Sequence, residues 1–161
     1  MGHDKAELML GGKSFLERAV ALANACAATR TVVLGKKAHP LGVADEHAHA
    51  GPAAAIVSWL SRQPGPTRIL ALPVDMPLLG RKQIQHLLAQ ETPAYFHDLY
   101  LPFSAVATPT LTPTGARMKD LLSALGAHKL MPAPAWQDAL VNINDQATYT
   151  WACARASTSS S

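Results

Sequence analysis

Arg68-Ile69-Leu70-Ala71-Leu72-Pro73-Val74-Asp75-Met76-Pro77-Leu78-Leu79 is the stretch on which the reading of this chain turns. Ile69 to Leu72 is a short apolar run that follows the loop signal Gln63-Pro64-Gly65-Pro66, the pattern of a strand buried on both faces of a sheet. Pro73 and Pro77 end it, and between them stands one carboxylate, Asp75. Ligands of open α/β sheets bind beyond the carboxyl ends of the strands, so an acid there is placed to hold a metal or a phosphate-bearing substrate. An aspartate in such a turn also suits the cap of the next helix, and the local sequence leaves both roles open.

Working outward, elements alternate. Upstream, Ser14-Phe15-Leu16-Glu17 forms a capping box, in which the Ser14 hydroxyl and the Glu17 carboxylate each satisfy an otherwise orphan backbone N–H. Phe15, Ala19, Leu22, Ala23 and Cys26 then recur at helical spacing, predicting an amphipathic helix to about Ala28. Gly11-Gly12 reads as a tight turn before that helix. Thr31 to Leu34 predicts a strand ending at Gly35, and Val43-Ala44-Asp45 a shorter one that also ends in an acid. Pro52 suits the first position of a helix whose apolar face is Ile56, Val57 and Leu60.

Downstream, Arg81 to Gln90 predicts a helix that buries Ile84, Leu87 and Leu88, and at least one strand lies within Tyr95 to Phe103. A helix over Ala116 to Leu125 is closed by Gly126. Ala139 to Asp145 reads as a last strand that turns into a helix through Tyr149 and Trp151, capped by Asn144 or Asp145. Alternating helices and strands argue for an α/β fold with a mostly parallel sheet and helices on both faces.

Composition narrows the classes. A chain of 161 residues, 48% hydrophobic and 16% charged, can bury one sizeable core, so the expectation is one domain over residues 1–156 with a disordered Ser/Thr-rich tail at 157–161. No apolar run reaches membrane-spanning length, and the first residues lack the apolar centre of a signal peptide, which points to a cytoplasmic protein without a membrane partner. Cys26 and Cys153 lie far apart without metal-ligand spacing. The net charge of +3 is scattered, with no basic run interleaved with aromatics, so nucleic acid is not an expected partner, whereas a small anionic substrate is. His47 and His49 form a His-x-His pair without the further ligands that zinc requires. Trp59, Trp136 and Trp151 read as packing residues.

Four segments in order resemble one family, the molybdenum cofactor guanylyltransferases (MobA-like) of the nucleotidyltransferase superfamily. They are Met1-Gly2-His3-Asp4-Lys5-Ala6, Asp45 to Gly51-Pro52-Ala53-Ala54, Leu72-Pro73-Val74-Asp75-Met76-Pro77 and Val141-Asn142-Ile143-Asn144. Gly115-Ala116-Arg117-Met118 is similar to a further family stretch, so the resemblance covers nearly the whole chain. It implies a three-layer, Rossmann-like fold of the nucleotide-diphospho-sugar transferase type. It also implies an enzyme that transfers GMP from GTP to the phosphate of molybdopterin and releases pyrophosphate with Mg2+, with molybdoenzyme maturation proteins as possible partners.

Residue by residue, Asp75 matches the family's magnesium ligand and Lys5 the lysine that approaches the nucleotide phosphates, and these two are the catalytic candidates. Asp45 matches an acidic nucleotide contact, and Asn142 and Asn144 fall in the motif lining the acceptor side. Each has a plainer role open to it: Lys5 as a solvated lysine, Asp45 and Asn144 as caps. The family pattern sets a strand and a glycine-rich Leu-Ala-Gly-Gly-x-Ser-x-Arg loop directly before the Met-Gly, where this chain starts. The expectation is therefore a sheet with its first strand missing, and two readings: an enzyme whose start is set late, or a catalytically impaired homologue that binds cofactor or partner. Gly35 stands where the pattern carries a polar amide near the base, which keeps a cytidylyltransferase open.

Overall fold

The computed structural model describes residues 4–26, 28–36, 38–44 and 50–158. Asp45, His47 and His49 lie outside them, as do residues 159–161. In chain order the elements are β1 (Met9–Leu10), β2 (Lys13–Ser14), α1 (Phe15–Ala25), β3 (Val33–Leu34), β4 (Gly42–Val43), α2 (Pro52–Ser61) and β5 (Thr67–Ala71). There follow α3 (Arg81–Leu88), β6 (Ala94–Phe96), β7 (Phe103–Ala107), α4 (Met118–Ala124), β8 (His128–Leu130) and α5 (Gln146–Thr158). No helix among the described residues is long and apolar enough to cross a membrane. Helix α5 takes in the first two residues of the segment expected to be a disordered tail.

The described residues fall into two compact units, one of Met1–Thr29, Leu72–His86 and Pro132–Ser161, the other of Arg30–Ala71 and Leu87–Met131. The first is built on local chemistry. Gly11 and Gly12, at φ 58° and 79°, turn β1 back onto β2 as a two-residue hairpin, which demands left-handed backbone at both positions. The capping box then starts α1, with the Glu17 N–H donating to the Ser14 hydroxyl at 3.1 Å and the Ser14 N–H to the Glu17 carboxylate at 2.6 Å. Leu10, Phe15, Ile143 and Ala152 form the buried centre of this unit.

In the second unit a four-stranded sheet runs in the order β5-β7-β6-β8. Ile69, Phe103, Ala105 and Ala107 meet Ala53, Ile56 and Leu60 of α2 and Leu121 and Leu122 of α4 in one core. Register explains the burial: Ala71 pairs with Phe103, Ile69 with Ala105 and Thr67 with Ala107, so alternate residues of both strands face the helices. Val106, paired with Arg68, lies on the other side and is 59% exposed.

The sheet is mixed rather than mostly parallel. β5 pairs with β7 and β6 with β7 antiparallel, and only β6 with β8 is parallel, while β3 and β4 form a separate parallel pair. The reason lies in residues 97–102, a link between β6 and β7 far shorter than the dozen or more residues of a parallel crossover. β5, β6 and β8 therefore run one way, as the helix–strand alternation implies, and β7 is inserted against them.

Two caps give the fold an acid sensitivity. The Asp145 carboxyl is held below its ordinary value of 3.8, first by the Thr148 N–H and then by the Thr148 hydroxyl. Glu17 is held below 4.5 in the same way by the N–H and hydroxyl of Ser14. A depressed folded-state pKa contributes stability that is complete above the unfolded value and lost as pH falls through the folded one. The thermal midpoint should hold from neutrality to about pH 4.5 and decline below it through these two groups. Asp145→Asn, which still caps but does not titrate, should flatten part of that decline in melts recorded down to pH 3; an unchanged slope would remove Asp145 from the account.

Candidate active site

Three segments of the first unit converge on one point. Asp4 opens a short 3-10 turn, Lys5–Glu7: its carboxylate accepts from the Ala6 N–H at 3.1 Å and its carbonyl from the Glu7 N–H at 3.0 Å. Ala6 is buried, which pins the turn and leaves the Lys5 side chain to reach outward. Asp75 lies in the bends after β5, followed by buried Met76 and Pro77, and its carbonyl accepts the Ile143 N–H at 2.8 Å. Asn144 sits between fully buried Ile143 and Asp145, whose carboxylate caps α5 through the Thr148 N–H at 2.8 Å.

At the meeting point the Lys5 Nζ donates to Asn144 Oδ1 at 2.6 Å and stands 3.7 Å from Asp75 Oδ2. The second distance is beyond a hydrogen bond, so Lys5 and Asp75 attract through charge while the carboxylate keeps its accepting capacity. The two side chains are 33% and 27% exposed, open enough for a ligand to reach both. The cluster combines one cation, one anion and one amide held by buried backbone on either side. Such a set can bind phosphate oxygens through the ammonium and share a divalent cation through the carboxylate.

Not every residue singled out in the sequence joins it. Asn142 is half-buried, and among the described residues its side chain makes no hydrogen bond. Asp45 lies outside the described residues. The expected strand over Ala139 to Asp145 is instead a 3-10 turn, Asp138–Leu140, followed by irregular backbone. A single backbone bond, from the Ile143 N–H to the Asp75 carbonyl at 2.8 Å, ties this segment to the Asp75 turn. Among the described residues no group of three or more His, Cys, Asp or Glu side chains could hold a metal, so a cation here would need oxygens from its ligand and from water.

One contributor escapes a reading by motif. Arg18 of α1 donates from Nε to the Pro77 carbonyl at 2.9 Å and from Nη1 to the Leu10 carbonyl at 3.1 Å. The signal available in the sequence is a charged residue one turn past Phe15, on a helix otherwise rich in alanine and leucine. At the other end of the unit the Tyr149 hydroxyl donates to the Met9 carbonyl at 2.7 Å. Its pKa is pushed up, first by burial and then by neighbouring Cys153, so it stays a donor at neutral pH and ties α5 to β1.

Comparison with known proteins places the chain as a whole. The molybdenum cofactor guanylyltransferase of Xanthomonas euvesicatoria pv. vesicatoria (strain 85-10) is 36% identical over 104 residues, 63% of this chain and 55% of that protein. The chain thus spans little more than half the length of that relative. The family described as the MobA-like NTP transferase domain matches residues 1–138, which include Lys5, Arg18 and Asp75 and stop short of Asn144. With most of its length matched, the chain belongs to the MobA-like NTP transferase family.

Proposed function

We propose that the protein is a magnesium-dependent nucleotidyltransferase that moves GMP from GTP to the terminal phosphate of molybdopterin and releases pyrophosphate. The observation that carries this reading is the Lys5–Asp75–Asn144 cluster, which gathers residues from distant segments around a partly exposed ammonium and carboxylate. A relative named for guanylyl transfer to molybdenum cofactor supports the choice of substrates.

In the reaction an oxygen of the acceptor phosphate forms a bond to the α-phosphorus of GTP as the bond to the β-phosphate oxygen breaks, and the electron pair leaves with pyrophosphate. Negative charge grows on the departing oxygens, so donors already aimed at them lower the barrier. Lys5 suits that task. One of its three N–H groups is engaged by Asn144, which fixes the direction of the side chain and leaves donors for phosphate. Asp75 fits magnesium as a lone carboxylate, since that ion keeps several waters and takes the rest of its shell from substrate phosphates. Bound there, the cation would neutralise phosphate oxygens as a Lewis acid.

The test is pyrophosphate release by the purified protein with Mg2+, molybdopterin and either GTP or CTP. Release that needs the acceptor and favours GTP is the expected result. Preference for CTP would make it a cytidylyltransferase, and nucleotide binding without turnover by either would overturn the enzymatic reading in favour of a binding protein. Lys5→Met should lower the rate by about 100- to 1,000-fold, the usual cost of removing a donor aimed at developing charge. Circular dichroism should stay unchanged, because the 3-10 turn is held by Asp4 and Ala6 rather than by the lysine side chain.

A further inference from the structure

We propose that Arg18 is a positioning residue that sets the spacing between the segments carrying Asp75 and Lys5; its effect on turnover rests on the nucleotidyl-transfer reading above. Its two acceptors are the evidence. The Pro77 carbonyl lies just past Asp75, and the Leu10 carbonyl lies in β1, just past the turn that presents Lys5. One guanidinium thus spans both segments from a third element, α1.

Geometry and surroundings make the link stiff. The planar guanidinium projects its Nε and Nη1 donors at a fixed angle, which a flexible ammonium cannot reproduce. Arg18 is half-buried and lines a crevice with Ala19, Leu22, Leu72, Pro73, Met76 and Leu79, and both of its hydrogen bonds to the carbonyls are partly shielded from water. Among the described residues no carboxylate pairs with Arg18, and its charge is directed to backbone carbonyls. The hairpin comes close as well, since a Cβ placed on left-handed Gly11 would lie 3.7 Å from Nη1. Asp75 is therefore tied twice: its own carbonyl to Ile143, and its turn to Arg18.

Arg18→Lys and Arg18→Gln in the full chain test the assignment. The first keeps the charge and most of the stem, and the second keeps a single neutral donor, so at least one variant should fold. Two readouts are needed. Amide exchange at Ile143 should speed up by about tenfold or more as the Asp75 turn loosens, while Ile69 and Ala105 in the second unit exchange as before. Pyrophosphate release should fall by roughly 10- to 100-fold, the cost of a misplacement near an ångström, with a rise in the Mg2+ concentration giving half the maximal rate.

Unchanged exchange at Ile143 in both variants would overturn the proposal. So would faster exchange with the rate and magnesium dependence unaltered, which is the outcome of a purely structural role. If the unmodified protein turns over neither GTP nor CTP, the nucleotidyl-transfer reading fails, and exchange at Ile143 decides by itself whether Arg18 sets the Asp75 turn.

Discussion

Replacing Asp75 with alanine is expected to lower magnesium-dependent pyrophosphate release by about three orders of magnitude, because charge neutralisation worth several kcal/mol disappears and each ~1.4 kcal/mol is a factor of ten. The fold should barely register the change. The Asp75 side chain is 27% exposed, and its contact with Lys5 at 3.7 Å is a partly exposed pair of the kind worth no more than about 1 kcal/mol. What anchors the turn is the Asp75 carbonyl, which accepts from Ile143 and survives substitution by alanine.

Asp75→Asn separates charge from shape: it preserves the side-chain volume and an accepting oxygen but removes the negative charge that attracts a divalent cation and Lys5. On the proposed reading both variants lose turnover, and raising Mg2+ partly recovers asparagine but not alanine. Turnover equal to that of the unmodified protein in both would show that another acid holds the cation. Asp45, outside the described residues, would then be the next to test.

What could be read in the sequence was set by short-range chemistry. The Ser14–Glu17 box, Pro52 opening α2 and left-handed Gly126 after α4 each depend on atoms within a few residues, and each stands where the sequence put it. The reversal of β7 depends on the short link before it and on which strands it lies between, which a pattern of apolar residues does not encode. β8, three residues long with two of them exposed, carries almost no periodic signal and escaped the reading.

The site divides in the same manner. Lys5, Asp75 and Asn144 were marked by the resemblance of their segments to family motifs, but their approach to 2.6 and 3.7 Å is a property of the folded chain. Asn144 was open to being a cap, and the structure gives the cap to Asp145 and leaves the Asn144 amide for Lys5. Arg18 acts through backbone carbonyls, which every residue possesses, and so no side-chain pattern announces it.

Phe15→Ala should give the largest loss of stability, about 3–5 kcal/mol, against a total of about 5–15 kcal/mol for a typical domain. Phe15 is fully buried against Leu10, Ile143 and Ala152, and its ring lies 6.1 Å from that of Tyr149 at 53°, an arrangement that contributes beyond area alone. Because Ser14 still caps α1 and the residue 15 N–H still donates to the Leu8 carbonyl, alanine leaves the helix start intact and removes only the packing. The cost is therefore that of a cavity at the point where β1, α1, the Ile143 segment and α5 meet. Urea unfolding followed through Trp151, which packs on the same cluster, should show a lower midpoint with Phe15→Ala and recover much of it with Phe15→Leu. Since Ile143 both fills this core and holds the Asp75 carbonyl, the surviving folded fraction should also show faster amide exchange at Ile143. A loss below about 1 kcal/mol would mean that the four segments are not closely packed at Phe15, and that the core does not supply the rigidity on which the Lys5–Asp75 spacing depends.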